Sequence, residues 1–272
     1  MNRKYDAISE FRDTGIAGII PDFFHDVIAY LIPGYAAVII TVVVWGTIQG
    51  NIINHLEYIN NLDVTGFFAA TIISYVAGRF FEHVGYKCIH KGNFIFSSNE
   101  IGPKWRLLFD TNNDGYTDTF KENLVTKIGE WLYAQKGKAL MDDCKKNHKD
   151  DYFNLIQFYL RDRFPQVALY EKKQNATIVM TRSLSVIFFL STIPLIAYAI
   201  GCLCSGSDVS TVIILLSVVF AMSSWVFYNR FKLDRQYHAM YIFESFIATK
   251  KLLKTKSSNC NRSFRRNSRV NP

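Results

Sequence analysis

The amino-acid sequence predicts an α-helical membrane protein, with four transmembrane helices (2+2) flanking a small, mainly α cytoplasmic insert and a C-terminal cytoplasmic helix. Three observations carry this expectation. Four apolar runs are long enough to cross a bilayer, the short loop inside each pair of runs contains no lysine or arginine, and all 31 basic residues of the 272 lie elsewhere or at the span ends. Composition excludes the main alternatives. With 49% hydrophobic and 20% charged residues, and only 15 glycines and 6 prolines, the chain is neither collagen-like nor largely disordered.

Residues 27–49 hold no Asp, Glu, Lys or Arg. At 1.5 Å rise per residue such a helix covers a hydrocarbon core of about 30 Å. The second run, residues 64–84, is free of charge up to Arg79 and Glu82. These two lie three apart on one helical face and are expected to pair in the headgroup layer. The third, residues 184–203, contains Pro194, a kink tolerated in lipid if Ser191 or Thr192 satisfies the released carbonyl. The fourth, residues 209–228, ends in Trp225 and Tyr228, suited to an interfacial belt.

The loops at residues 50–63 and 204–208 have no basic residue, whereas fifteen lie between Lys87 and Lys173 and eleven follow Tyr228. The positive-inside rule then predicts a multi-pass protein of the bacterial inner membrane with both termini cytoplasmic. No cleavable signal peptide is expected, because residues 1–26 are polar with five acids and the first apolar run is too long. The expected organisation is an amphipathic segment at 1–26, spans one and two within 27–86, a cytoplasmic domain at 87–180, spans three and four within 181–229, a cytoplasmic helix at 230–256 and a basic disordered tail at 257–272. Pro33-Gly34 is expected to interrupt the helix leading into span one.

Two patterns concern what the spans touch. Gly66, Ala70, Ser74 and Gly78 put a small residue at every fourth position of span two, a strip where another helix backbone can come close, in the same chain or a second copy. Ser210, Ser217 and Ser224 repeat every seven residues in span four. Such hydroxyls bond back to their own helix, join two helices, or line a pore in an oligomer. The span centres carry no ionisable residue, which argues against a transporter with a midplane site.

In the insert, residues 94–96 and 105–109 suggest a β-hairpin. Thr119-x-x-Glu122 reads as a capping box ahead of Leu124, Val125, Ile128, Trp131 and Leu132 on one helical face. A second helix is expected at 151–163, and from Gln166 the helical pattern can run straight into span three. Asp110, Asn112, Asp114, Gly115 and Asp118 imitate the start of an EF-hand loop, but position 12 is Lys121, so a solvated turn is preferred and no metal is expected. The six histidines form no ligand pair, and there is no phosphate loop, nucleophile elbow or CxxC. The pair Cys88-x-His90 lacks a third catalytic partner. Neither an enzyme nor a cofactor is indicated.

After span four, Leu233, Tyr237, Met240, Phe243 and Ile247 recur at helical steps and are expected to form a buried face. Beyond them lie Lys250, Lys251, Lys254, Lys256, Arg262, Arg265, Arg266 and Arg269. Charge of this density beside a membrane sets topology, attracts anionic lipid, or binds phosphate groups of a nucleotide or nucleic acid.

Leu31-Ile32-Pro33-Gly34-Tyr35 and residues 158–175 (FYLRDRFPQVALYEKKQN) resemble inner-membrane proteins with two helices on each side of a cytoplasmic insert. That layout is similar to the membrane effectors of bacterial anti-phage defence systems of the Hailong type. The resemblance implies a homo-oligomeric channel controlled by an oligonucleotide from a partner nucleotidyltransferase. It carries over no individual site residue. The function expected is therefore a pore-forming effector gated by a phosphate-rich ligand, with Lys250, Lys251, Lys254, Lys256, Arg262, Arg265 and Arg266 as its phosphate-binding residues; a non-conducting scaffold that recruits a soluble partner is the alternative.

Overall fold

A computed structural model describes residues 23–51, 53, 57, 63–88, 117–134, 151–206 and 208–267. Every regular element among them is helical. A π-helical turn, Val27–Leu31, leads into α1 (Ile32–Gln49); then follow α2 (Val64–Tyr86), α3 (Asp118–Ala134), α4 (Asp151–Arg163), α5 (Pro165–Cys204) and α6 (Thr211–Asn267). Four stretches are long and apolar enough to span a membrane: Phe23–Gln49, Val64–Tyr86, Pro165–Cys204 and Thr211–Thr249. The expected hairpin, the turn at 110–116, His90 and residues 1–22 lie outside the described residues.

Local chemistry explains the helix ends. The Asp63 carboxylate accepts the Gly66 N–H at 2.7 Å and so caps α2 where the apolar run begins. Gly50 closes α1 with φ of +74°, a left-handed conformation that glycine adopts without Cβ strain, and its N–H bonds to Gly46 and Thr47 carbonyls. Pro33 does not interrupt the first span. The Ile32 N–H reaches back five residues to the Val27 carbonyl, and this widened turn lets the helix run from Phe23 through the proline. Pro194 lies inside α5, where the Thr192 hydroxyl donates to Phe188 at 2.9 Å and not to the Leu190 carbonyl that the proline leaves free.

The chain divides into two compact units. One comprises Met1–Glu100 and Glu171–Arg235 and contains the apolar parts of the four spans. Its core joins Ala37, Ile40 and Val44 of α1 to Leu184, Ile187 and Leu195 of α5 and to Ile213 and Phe220 of α6. Phe188 stacks on Phe227, their ring planes 6° apart. Large apolar side chains such as Phe68, Ile72, Val76, Val219 and Trp225 point outward, as lipid-facing positions do. Tyr228, by contrast, is buried, so only Trp225 of the expected belt pair is outward.

The other unit comprises Ile101–Tyr170 and Gln236–Pro272. Leu124, Ile128 and Trp131 of α3 meet Phe153, Ile156 and Leu160 of α4 and Ala239, Ile242, Phe243 and Phe246 of α6. Trp131 lies edge-on to Phe246, and Phe153 edge-on to Phe243. Of the face expected on α6, Phe243 is in this core and Met240 and Ile247 pack against it. Leu233 and Tyr237, at its start, are exposed, while the polar Asp234 and His238 are buried, so apolar periodicity misplaces the face only over those first turns.

Candidate functional site

In the first unit the lysines and arginines among the described residues gather at one end of the helices, and the span centres hold no Asp, Glu, Lys or Arg. Tyr30 stands about twenty residues before the Gly50 turn, and Arg182 and Arg230 stand about as far from the second loop. At 1.5 Å per residue, each lies about 30 Å along its helix, the depth of a hydrocarbon core. Three direct contacts join the four helices toward this end.

The first contact is a close approach of backbones. A Cβ built on Gly34 would overlap the Ser74 carbonyl, and one built on Gly78 would overlap the Tyr30 carbonyl. The span-two strip thus meets span one of the same chain at its Ser74–Gly78 half, both fully or nearly buried, while Gly66 and Ala70 remain half-buried. A hydrogen bond between the Tyr35 and Thr71 hydroxyls adds to this crossing.

Around it stand two arginines in contrasting surroundings. The Arg79 guanidinium lies over the Tyr30 ring, 3.8 Å from its centroid, and donates from Nε and Nη2 to the Tyr75 hydroxyl at 3.3 and 3.2 Å. No carboxylate among the described residues reaches ion-pair distance of it. Glu82, expected to pair with Arg79, instead accepts from Arg182 of α5 at 3.3 Å, a hundred residues along the chain. The Arg182 side chain is 8% exposed and that of Glu82 29%. Gly85 makes room for it, since a Cβ there would stand 3.3 Å from the Arg182 Cγ. Arg182 Nε and the hydroxyls of Ser74 and Ser183 are buried with no hydrogen-bond partner among the described residues.

A third contact joins α5 to α6. Ser185 donates to the Ser224 carbonyl at 3.1 Å and Ser224 donates to the Ser185 carbonyl at 2.9 Å, a reciprocal clasp between the spans. Ser217 bonds back to Ile213 in its own helix, and Ser210 precedes α6 and supplies the carbonyl that caps it. The three serines therefore have three different roles despite their equal spacing. Farther along α6, Arg230 and Asp234 pair at 2.9 Å.

The basic residues 250–266 belong to the same uninterrupted helix as span four. No group of three metal-binding side chains occurs among the described residues. Cys88 is half-buried, and its expected companion His90 is outside them.

Sequence reasoning missed Tyr30, Tyr75 and Arg182 as site residues. A usable signal for Arg182 existed: between Lys173 and Arg230 it is the single basic residue, set at the edge of an apolar run. Chemically, the arrangement offers one neutralised guanidinium that ties two helices and one guanidinium held by two tyrosines, with no carboxylate among the described residues at ion-pair distance. Comparison of the chain with protein-family models, curated proteins and solved structures finds no match.

Proposed function

We propose that several copies of this chain assemble a channel in the bacterial inner membrane, opened by a phosphate-rich cytoplasmic ligand, a nucleotide or short oligonucleotide. The observation that carries the reading is the placement of charge. With the lysines and arginines confined to one end of the spans and no Asp, Glu, Lys or Arg at their centres, the chain lacks the midplane binding site of a coupled transporter, which favours a passive path. At that end, a part-buried Arg182–Glu82 pair ties span two to span three. A buried ion pair contributes little net stability compared with apolar packing, so its use here suits a joint with two arrangements better than a rivet.

Lys250, Lys251, Lys254, Lys256, Arg262, Arg265 and Arg266 are the proposed phosphate-binding residues, and their place on the same helix as span four supports a mechanical link to the membrane. The resemblance to anti-phage membrane effectors supplies the ligand class and a partner nucleotidyltransferase. Opening would dissipate the ion gradient and arrest growth.

Conductance tests the reading. Purified protein in planar bilayers is expected to carry current only when short oligonucleotides are added on the basic side. A silent protein that is monomeric by mass would overturn it. A tight soluble partner in pull-downs, without leakage on overexpression, would select a non-conducting scaffold instead.

A further inference from the structure

We propose that Arg79 is a binding site for the phosphate of a bilayer phospholipid. Arg79 carries a charge with no ion-pair partner among the described residues. Glu82, its neighbour on the same helix face, is committed to Arg182, and no other carboxylate among the described residues lies at ion-pair distance, Asp26 acting on Arg79 only from farther off. A guanidinium in this position needs an anion, because a charge at the edge of hydrocarbon is costly unless its head reaches a polar partner.

The geometry selects the kind of anion. A guanidinium has five N–H donors in a planar fork. Two of them go to the Tyr75 hydroxyl, so three remain, two of them side by side on the far edge between Nη1 and Nη2. The Tyr30 ring beneath the fork holds its orientation, and Tyr30 is itself fixed, 7% exposed, by the Gly78 backbone against its carbonyl. A planar fork with a free edge matches the oxygens of a phosphate.

The surroundings select a lipid over a soluble phosphate. Val76 and Ile72 lie one and two turns from Arg79 on the same helix face, toward the hydrocarbon, and are 62% and 66% exposed, with Phe80 at 59% beside them. An acyl chain descending from a phosphate on Arg79 runs along these side chains. The site therefore combines a phosphate donor edge with an apolar track of the right direction. It depends on α2 lying in a bilayer and is independent of whether the chain conducts.

The test uses the full-length protein in detergent, titrated with phosphatidylglycerol and followed by native mass spectrometry. The wild type is expected to retain one phospholipid per protomer, Arg79→Gln to bind about tenfold more weakly, and Arg79→Lys to fall between them, since it keeps charge and loses the fork. Should Arg79→Gln fail to fold, Tyr75→Phe decides: it keeps the arginine but releases its orientation, and is expected to weaken retention about threefold. Unchanged lipid retention in the folded variants overturns the proposal. So does displacement of the lipid by millimolar inorganic phosphate, which would mark a soluble-phosphate site, or a loss of oligomer mass in Arg79→Gln with lipid retention intact, which would put a second copy of the chain against Arg79.

Discussion

Arg182 illustrates how little of a buried charge's environment is written beside it in the chain. Arg79 and Glu82 have ideal helical spacing for a pair, yet the aromatic faces of Tyr30 and Tyr75 hold Arg79 while Arg182 takes Glu82 from α5. Local spacing reports which groups are able to meet; the crossing of helices decides which do. Replacing Glu82 by Gln leaves Arg182 buried against a neutral amide, and the expected cost is about 3 kcal/mol, the scale for stranding one member of a buried pair. Replacing both, Glu82→Gln with Arg182→Met, removes the stranded charge and is expected to return stability to within about 1 kcal/mol of wild type. Unfolding of the detergent-solubilised variants measures both. A single substitution as mild as the double would show that the pair is solvated and does not join the helices.

At the scale of elements, the four spans and the almost wholly helical character of the described chain were readable because both follow from local properties: length, lack of charge, and caps such as Asp63 and Gly50. The helix continuing through Pro33 was not readable, since a π turn resolves the clash only when the neighbouring turn has room to widen. Nor was the helix chosen by the small-residue strip. Gly34 is the missing complement: it faces Ser74 as Gly78 faces Tyr30, and one glycine in an apolar run does not reveal where its partner lies. Gly78→Ala places a methyl on the Tyr30 carbonyl and forces α1 and α2 apart, with an expected loss of about 1–3 kcal/mol, the range for overpacking. Gly201→Ala is the matched control, because a Cβ at Gly201 meets nothing within 4 Å. A thermal unfolding temperature that rises equally for the two variants would show that helix propensity, not the crossing, is being measured.

For the whole molecule, the decisive quantity is the side of the membrane on which the basic residues lie. Eleven follow Tyr228 and none occurs in either short loop, an asymmetry that the positive-inside rule converts into orientation. Moving one positive charge across the membrane against the potential costs about 2.3 kcal/mol per 100 mV, so the inverted arrangement is opposed by many charges together. Native cysteines report the outcome. Cys204, exposed at the end of α5, stands beside a loop with no basic residue, and Cys88, half-buried just after α2, begins the basic segment. In single-cysteine variants on intact cells, a membrane-impermeant maleimide is expected to label Cys204, and to label Cys88 only after the cells are opened. The opposite pattern would put residues 250–266 outside the cell, where no cytoplasmic nucleotide reaches them, and the proposed gating would fail even if the four helices and their contacts were all retained.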